Sequence, residues 1–255
     1  MQKGSYKVMK TFSITDVGQK RNMNQDYVYT SENPVGNLPN LFVVADGMGG
    51  HNAGDFASKY TVKQLVKLIE SSEETNPVKI MRQSIELANM QLLQKANENS
   101  ELMGMGTTLV AATIVKEYIY IANIGDSRLY IINSGIRQIT KDHSLVEEMI
   151  RLGEIDREDA KNHPDKNIIT RAIGAAEEIS VDFFEMKLEK DDTVLMCSDG
   201  LTNMIDDDEI CQIIKNQKTP EQKAQKLVET ANNNGGKDNI AVIIIEPYVS
   251  EVKIC

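Results

Sequence analysis

Apolar positions along the chain recur with two different periods, and the changes of period divide it into strand-rich and helix-rich stretches. Residues 5–16 and 26–30 read as strands, the second alternating through Tyr27, Val28 and Tyr29. Residues 41–45 (Leu-Phe-Val-Val-Ala) form an unbroken apolar run ending in Asp46-Gly47, the pattern of a strand covered on both faces. From 52 to about 71, Ala53, Phe56, Ala57, Tyr60, Leu65, Leu68 and Ile69 recur at helical spacing. Asn76-Pro77 then supplies an N-cap and first-turn pair for a second helix, striped by Met81, Ile85, Ala88, Leu92 and Ala96.

After Gly104-Met105-Gly106 the period returns to that of strands, over 107–115, 118–124, 127–133 and 136–140. Their connections are too short for a parallel crossover, so neighbours in sequence are expected to pair antiparallel. Residues 141–174 break this rhythm. A short helix through Leu145, Val146, Met149, Ile150 and Leu152 closes at Gly153, and a polar stretch follows to His163-Pro164, which together predict a mobile surface flap. Strands resume at 181–188 and 193–198. Helices follow at 206–216 and 219–232, the latter with Thr219 as N-cap, Pro220 in its first turn and Gly235 past its end. A strand at 240–245 completes the order. Strands and helices segregated in this way predict an α+β fold with antiparallel sheets. No repeat or linker divides residues 1–255, so one domain is expected.

Composition narrows the class. The 255 residues hold 28 Lys plus Arg against 38 Asp plus Glu, a net charge of −10, and 41% are apolar. That apolar content supports a full core and excludes a disordered or fibrous chain. The acidic balance, with no basic run, argues against nucleic acid as a partner. Cys197, Cys211 and Cys255 are odd in number and widely spaced, so neither disulfides nor a cysteine zinc site is expected. No apolar run approaches the ~20 residues of a membrane span. Residues 1–10 hold three lysines and no apolar stretch of signal length. A cytoplasmic protein is expected, monomeric by default and not inserted in a membrane.

Aspartates gather at the ends of the expected core strands. Asp26 follows Arg21-Asn22-Met23-Asn24-Gln25, and Asp46 begins Asp46-Gly47-Met48-Gly49-Gly50-His51. Asp126 stands in Gly125-Asp126-Ser127-Arg128, Asp199 in Ser198-Asp199-Gly200 and Asp238 in Lys237-Asp238-Asn239. Each alone fits a turn, a strand end or a partner for a nearby base such as Arg128. The set changes the balance. A charge at the end of a buried strand costs several kcal/mol unless paired or metal-bound, and these motifs hold too few bases to neutralise five carboxylates. Oxygen donors without His or Cys clusters suit Mg²⁺ or Mn²⁺ better than zinc or copper. Two such ions ~3.5–4 Å apart share a water, lower its pKa toward ~7 and flank an in-line displacement at phosphorus. Arg21, close in sequence to Asp26, is the candidate for a two-pronged grip on phosphate oxygens.

His51, one of three histidines, is a candidate general acid, with a purely structural contact at a helix start as the alternative. His143 and His163 are given no catalytic role, and His163, before Pro164, is expected to order the flap. Gly104, Gly106, Thr107 and Thr108 read as a tight turn into a strand. No GxxxxGK phosphate loop is present.

These motifs, taken in order with Asn52-Ala53-Gly54, Gly106-Thr107-Thr108, Ala122-Asn123-Ile124 and 163–174, resemble the metal-dependent protein phosphatases of the protein phosphatase 2C type, especially the short bacterial members. The resemblance spans nearly the whole chain. It implies a four-layer α-β-β-α sandwich of two antiparallel sheets flanked by helix pairs, with the metals in a cleft at one edge. It also implies hydrolysis of phosphoserine and phosphothreonine by a metal-bridging hydroxide, with no covalent enzyme intermediate. By position, Asp46 would bridge two Mn²⁺ or Mg²⁺ ions, and Gly47 would offer its backbone carbonyl. Asp26, Asp199 and Asp238 would complete the pair of sites, and Asp126 with Asp199 would form a third, weaker site. Arg21 matches the phosphate-binding arginine. The implied partners are phosphorylated proteins and a membrane-anchored Ser/Thr kinase whose phosphorylations the enzyme reverses. Two positions depart from the eukaryotic pattern. Gln25 stands where some members have an acid, and His51 lies farther past the Asp-Gly pair than their histidine.

Overall fold

The computed structural model, which describes residues 6–50, 53–161 and 163–251, explains why the apolar run from Leu41 has no polar alternation. The chain opens with β1 (Tyr6–Asp16), β2 (Asp26–Ser31) and β3 (Leu41–Met48), then α1 (Ala53–Glu70) and α2 (Pro77–Glu98). Along β3, Val43 and Ala45 pack with Leu65 and Ile69 of α1 and Ile85 and Leu92 of α2. The alternate residues Phe42 and Val44 pack on the opposite face against a second sheet. Both faces are buried, so both sets of alternating side chains are apolar.

After a 3₁₀ turn (Ser100–Leu102) come β4 (Gly106–Thr107), β5 (Leu109–Val115), β6 (Tyr118–Ile124), β7 (Arg128–Ile132) and β8 (Ile136–Gln138). The segment 141–174 carries α3 (Leu145–Leu152) and α4 (Arg157–Lys161). Then follow β9 (Asp182–Lys187), β10 (Thr193–Cys197), α5 (Asp199–Thr202), α6 (Asp207–Asn216), α7 (Pro220–Asn233) and β11 (Ile240–Glu251). One sheet runs β1-β11-β10-β7-β8 and the other β2-β3-β5-β6-β9, with β4 beside β3. Every pairing is antiparallel. Three apolar layers hold these parts together: α1 and α2 on the second sheet, sheet on sheet, and α6 with α7 on the first. The expected α-β-β-α order is therefore present.

Caps read from the sequence act as such. Asn76 Oδ1 accepts from Lys79 N at 3.1 Å, and Thr219 Oγ1 accepts from Gln222 N at 3.2 Å. Gly153 ends α3 in the left-handed region at φ 75°.

Three expectations change. The stretches 118–124 and 127–133 are not neighbours: β6 and β7 lie in different sheets, joined by Gly125-Asp126-Ser127. A short connection excludes a parallel crossover, but it does not require the two strands to share a sheet. The corner is possible because Gly125 has φ +109° and a Cβ there would meet Thr108 Cβ at 2.5 Å. Second, β3 runs on through Asp46-Gly47 to Met48, because Gly47 and Met48 pair with β4. Third, Asp199-Gly200 opens α5 instead of turning, and α4 and β4 are additional elements. Ser5, His51, Asn52, Asn162 and Cys255 lie outside the described residues.

One buried ion pair fastens α7 to the first sheet. Lys223 is 7% exposed, and its ammonium donates to Glu246 on β11 and reaches Thr193 Oγ1 at 3.4 Å. Removing the lysine strands a mostly buried carboxylate. Lys223→Met is therefore expected to cost about 3 kcal/mol in urea unfolding, most of it recovered by adding Glu246→Leu. A single variant as stable as the parent contradicts this.

Candidate functional site

Strand register alone brings the five aspartates to one end of the sandwich. Asp26 at the start of β2 lies directly opposite Asp46 near the end of β3. Val28 and Val44, two residues away on the same strand faces, point between the sheets, so by alternation both carboxylates do too. In the facing sheet, Cys197 at the end of β10 pairs with Arg128 at the start of β7 and with Val242 near the start of β11. Asp199, Asp126 and Asp238 flank those three strand ends at the same end of the sheet. The sheets meet directly there: Ser198 Oγ donates to Asp26 Oδ2 at 2.6 Å and accepts from Ala241 N at 2.9 Å.

Backbone around the cluster is held by side chains that the sequence reading did not single out for this task. Asn239 Oδ1 accepts from Gln25 N at 2.8 Å, while its amide nitrogen donates to Val17 O and Met23 O at 2.9 and 2.8 Å. One asparagine thus fixes the loop between Arg21 and Asp26. Thr107 Oγ1 donates to Asp46 O at 2.9 Å, and Asp46 N donates to Thr108 Oγ1 at 3.0 Å. These two threonines brace Asp46 from both its backbone groups. A Cβ on Gly47 would lie 2.0 Å from Gly54 O, so the backbone of β3 and α1 touch here. A signal for these roles existed in the side chains adjoining each aspartate, but nothing local named their partners.

His143 belongs to the same framework. Its Nδ1 accepts from Gly125 N at 3.0 Å, and its Nε2 faces Asp182 at 3.3 Å. Burial holds the imidazole below its usual pKa. Arg128, weighed as a partner for Asp126, instead donates to both oxygens of Asp142, at 2.6 Å from Nη2. Arg21 is half exposed and donates from Nη2 to Asp238 Oδ2 at 2.8 Å, beside the cluster as its position before Asp26 suggested.

Electrostatics mark the cluster as under strain. Burial, and then the charges of Asp199 and Asp238, push Asp26 up to about 7 despite the Ser198 hydrogen bond. Burial and the Asp199 and Asp142 charges push Asp126 up to about 8. Asp199 rises to about 6, through burial and then Asp238. Asp46 is driven well above the carboxylate range by burial, with repulsion from Asp26, Asp199, Asp126 and Asp238 added.

Asp26 Oδ1 and Asp199 Oδ1 are buried with no hydrogen-bond partner. An all-oxygen donor set with unclaimed lone pairs and mutual repulsion fits hard divalent cations. Among the described residues, no three His, Cys, Asp or Glu side chains stand close enough to hold a metal ion as they are placed.

Residues 18–240 match the family model described as Protein phosphatase 2C. The chain is 44% identical over 239 residues to the serine/threonine phosphatase stp of Listeria welshimeri serovar 6b, covering 91% of this chain and 93% of that protein. The crystal structure of the serine/threonine phosphatase Stp1 from Staphylococcus aureus superposes with a TM-score of 0.86 at 37% identity, over 98% of both chains. The catalytic domain of the serine/threonine protein phosphatase PstP, in complex with two manganese ions, superposes with a TM-score of 0.83 at 28% identity, over 95% of this chain and 99% of that one.

Proposed function

The chain belongs to the protein phosphatase 2C family and is a protein serine/threonine phosphatase, and we propose that its strand-end aspartates hold the divalent ions on which its hydrolysis of phosphoserine and phosphothreonine depends. Asp46 would stand between two ions, Mn²⁺ or Mg²⁺, with Asp26, Asp199, Asp238 and the Gly47 carbonyl completing their shells. Asp126 and Asp199 would hold a third, weaker ion. When bound, such ions supply positive charge against the phosphate and a water whose pKa is lowered toward ~7.

The chain's own residues position the reaction. Ser198, Thr107, Thr108 and Asn239 fix the carboxylates or their backbone before any ligand arrives, so little reorganisation is left for the moment of reaction. Arg21 offers a planar guanidinium at the rim, held by Asp238, to orient phosphate oxygens. His51 is proposed as the proton donor to the leaving serine or threonine oxygen. A phosphatase for these residues works against a Ser/Thr kinase, and a bacterial kinase with its phosphorylated substrates is the proposed counterpart.

The observation that carries this reading is Asp26 facing Asp46 across two paired strands, with orphaned carboxylate oxygens on Asp26 and Asp199. Like charges set directly opposite destabilise a sheet unless something binds them. Turnover of a phosphothreonine peptide is expected to need Mn²⁺, to stop in chelator and to return with excess Mn²⁺. An unchanged rate in chelator contradicts the proposal.

A further inference from the structure

A cleft of about 700 Å³ opens from the acid cluster and shares Asp126 and Asp199 with it. Asp126 is nine-tenths buried, lines this cleft and makes no ion pair with any described residue. One wall belongs to the segment 141–174, where Val146 and Ile150 of α3 present half-buried apolar surface. The connection from α5 to α6, ending in Asp206-Asp207-Asp208, lines the same cleft. Asp206 Oδ1 is occupied in capping α6, accepting from Glu209 N at 2.8 Å. Asp207 and Asp208 are exposed and make no ion pair with any described residue.

Bases in the cleft do not offset these charges. Arg128 is bound by Asp142 at 2.6 Å and Arg157 by Glu147 at 3.1 Å, which leaves Lys166. Cations at the mouth would neutralise Asp126 and Asp199, but not Asp207 and Asp208. A phosphoresidue reacting at the aspartate cluster therefore shares its cleft with apolar surface and with exposed carboxylates that no described base pairs. That pairing matches the two parts of a lysine or arginine side chain, an alkyl stem and a cationic head.

We propose that the cleft receives the phosphoprotein chain beside its phosphoresidue and selects substrates with Lys or Arg within about three residues of it, a reach of roughly 10 Å along an extended chain. The stem lies on Val146 and Ile150, and the head meets Asp207 and Asp208. This rests on the phosphatase reading above and adds its substrate class.

The test uses three peptides sharing one phosphothreonine, flanked on both sides by Arg, Ala or Glu, with p-nitrophenyl phosphate as a substrate that has no flanking residues to place in the cleft. With Mn²⁺ present, kcat/KM is expected to fall from Arg to Ala to Glu by about tenfold overall, and the spread is expected to narrow at high salt. Asp207→Asn with Asp208→Asn is expected to shrink the spread to about twofold or less while p-nitrophenyl phosphate turnover is unchanged. Lys166→Glu, in the segment 141–174, is an independent check and is expected to widen the spread by about threefold. Equal kcat/KM for all three peptides, a full spread in the double variant, or a narrower one in Lys166→Glu would overturn the proposal while small-substrate turnover persists. Absence of turnover on every substrate would instead overturn the phosphatase reading beneath it.

Discussion

Asp46→Asn is expected to lower kcat on a phosphothreonine peptide by about 10³-fold or more, and to make the metal-free protein more stable than the parent. Both effects have one cause. Burial, with repulsion from Asp26, Asp199, Asp126 and Asp238 added, drives the Asp46 pKa well above the carboxylate range. Folding the metal-free protein therefore works against the ionisation that this carboxyl prefers in water. An amide of the same shape needs no proton and removes the charge, so a gain of about 1–2 kcal/mol in chelator is expected. The same change takes away the donor proposed to stand between both ions, and a 10³-fold loss corresponds to about 4 kcal/mol of barrier. Urea unfolding in chelator, with kcat in Mn²⁺, tests both. Near-parental turnover, or collapse of metal-free stability, contradicts the assignment.

The second large effect concerns pH. Asp26, Asp126 and Asp199 sit at about 7, 8 and 6, against a usual value of 3.8. Between these limits the folded protein binds more protons than the unfolded chain, so unfolding free energy falls as pH rises. The contribution is complete below about pH 4 and is lost as pH climbs through 6 to 8. One unmatched proton gives about 1.4 kcal/mol per pH unit, and with three such groups the metal-free protein is expected to lose several kcal/mol between pH 5 and 8. Saturating Mn²⁺ takes the place of the protons, so the slope should flatten, and binding near pH 6.5 should release about one to two protons. Urea unfolding across this range, with and without Mn²⁺, reads the difference. Stripped protein that gains stability from pH 5 to 8 contradicts it.

Local chemistry made much of the fold legible. Asn76-Pro77 and Thr219-Pro220 start helices because a side-chain oxygen and a fixed φ suffice for that, and both are adjacent in sequence. Leu41-Phe42-Val43-Val44-Ala45 announced a strand covered on both faces for the same local reason. The separation of β6 from β7 was not legible, since sheet membership depends on contacts across the molecule and the Gly125 corner is short enough to be taken for a hairpin.

The aspartates were legible as a set through their uniform placement at strand ends. The residues that hold them were not. Ser198 joins Asp26 to β11 across 172 positions, and Asn239 grips the Arg21–Asp26 loop from more than 200 positions away. Arg128 turned from Asp126 to Asp142 because two oxygens of one carboxylate match its guanidinium better.

Crystals of the protein soaked in Mn²⁺ and measured by anomalous diffraction address the central claim without relying on turnover. Two strong peaks are expected between the sheets, flanking Asp46 and within coordinating distance of Asp26, Asp199 and Asp238, with a weaker third beside Asp126 and Asp199. A map with no peak at that end of the sandwich, or with manganese bound only at acids elsewhere on the surface, would contradict the account.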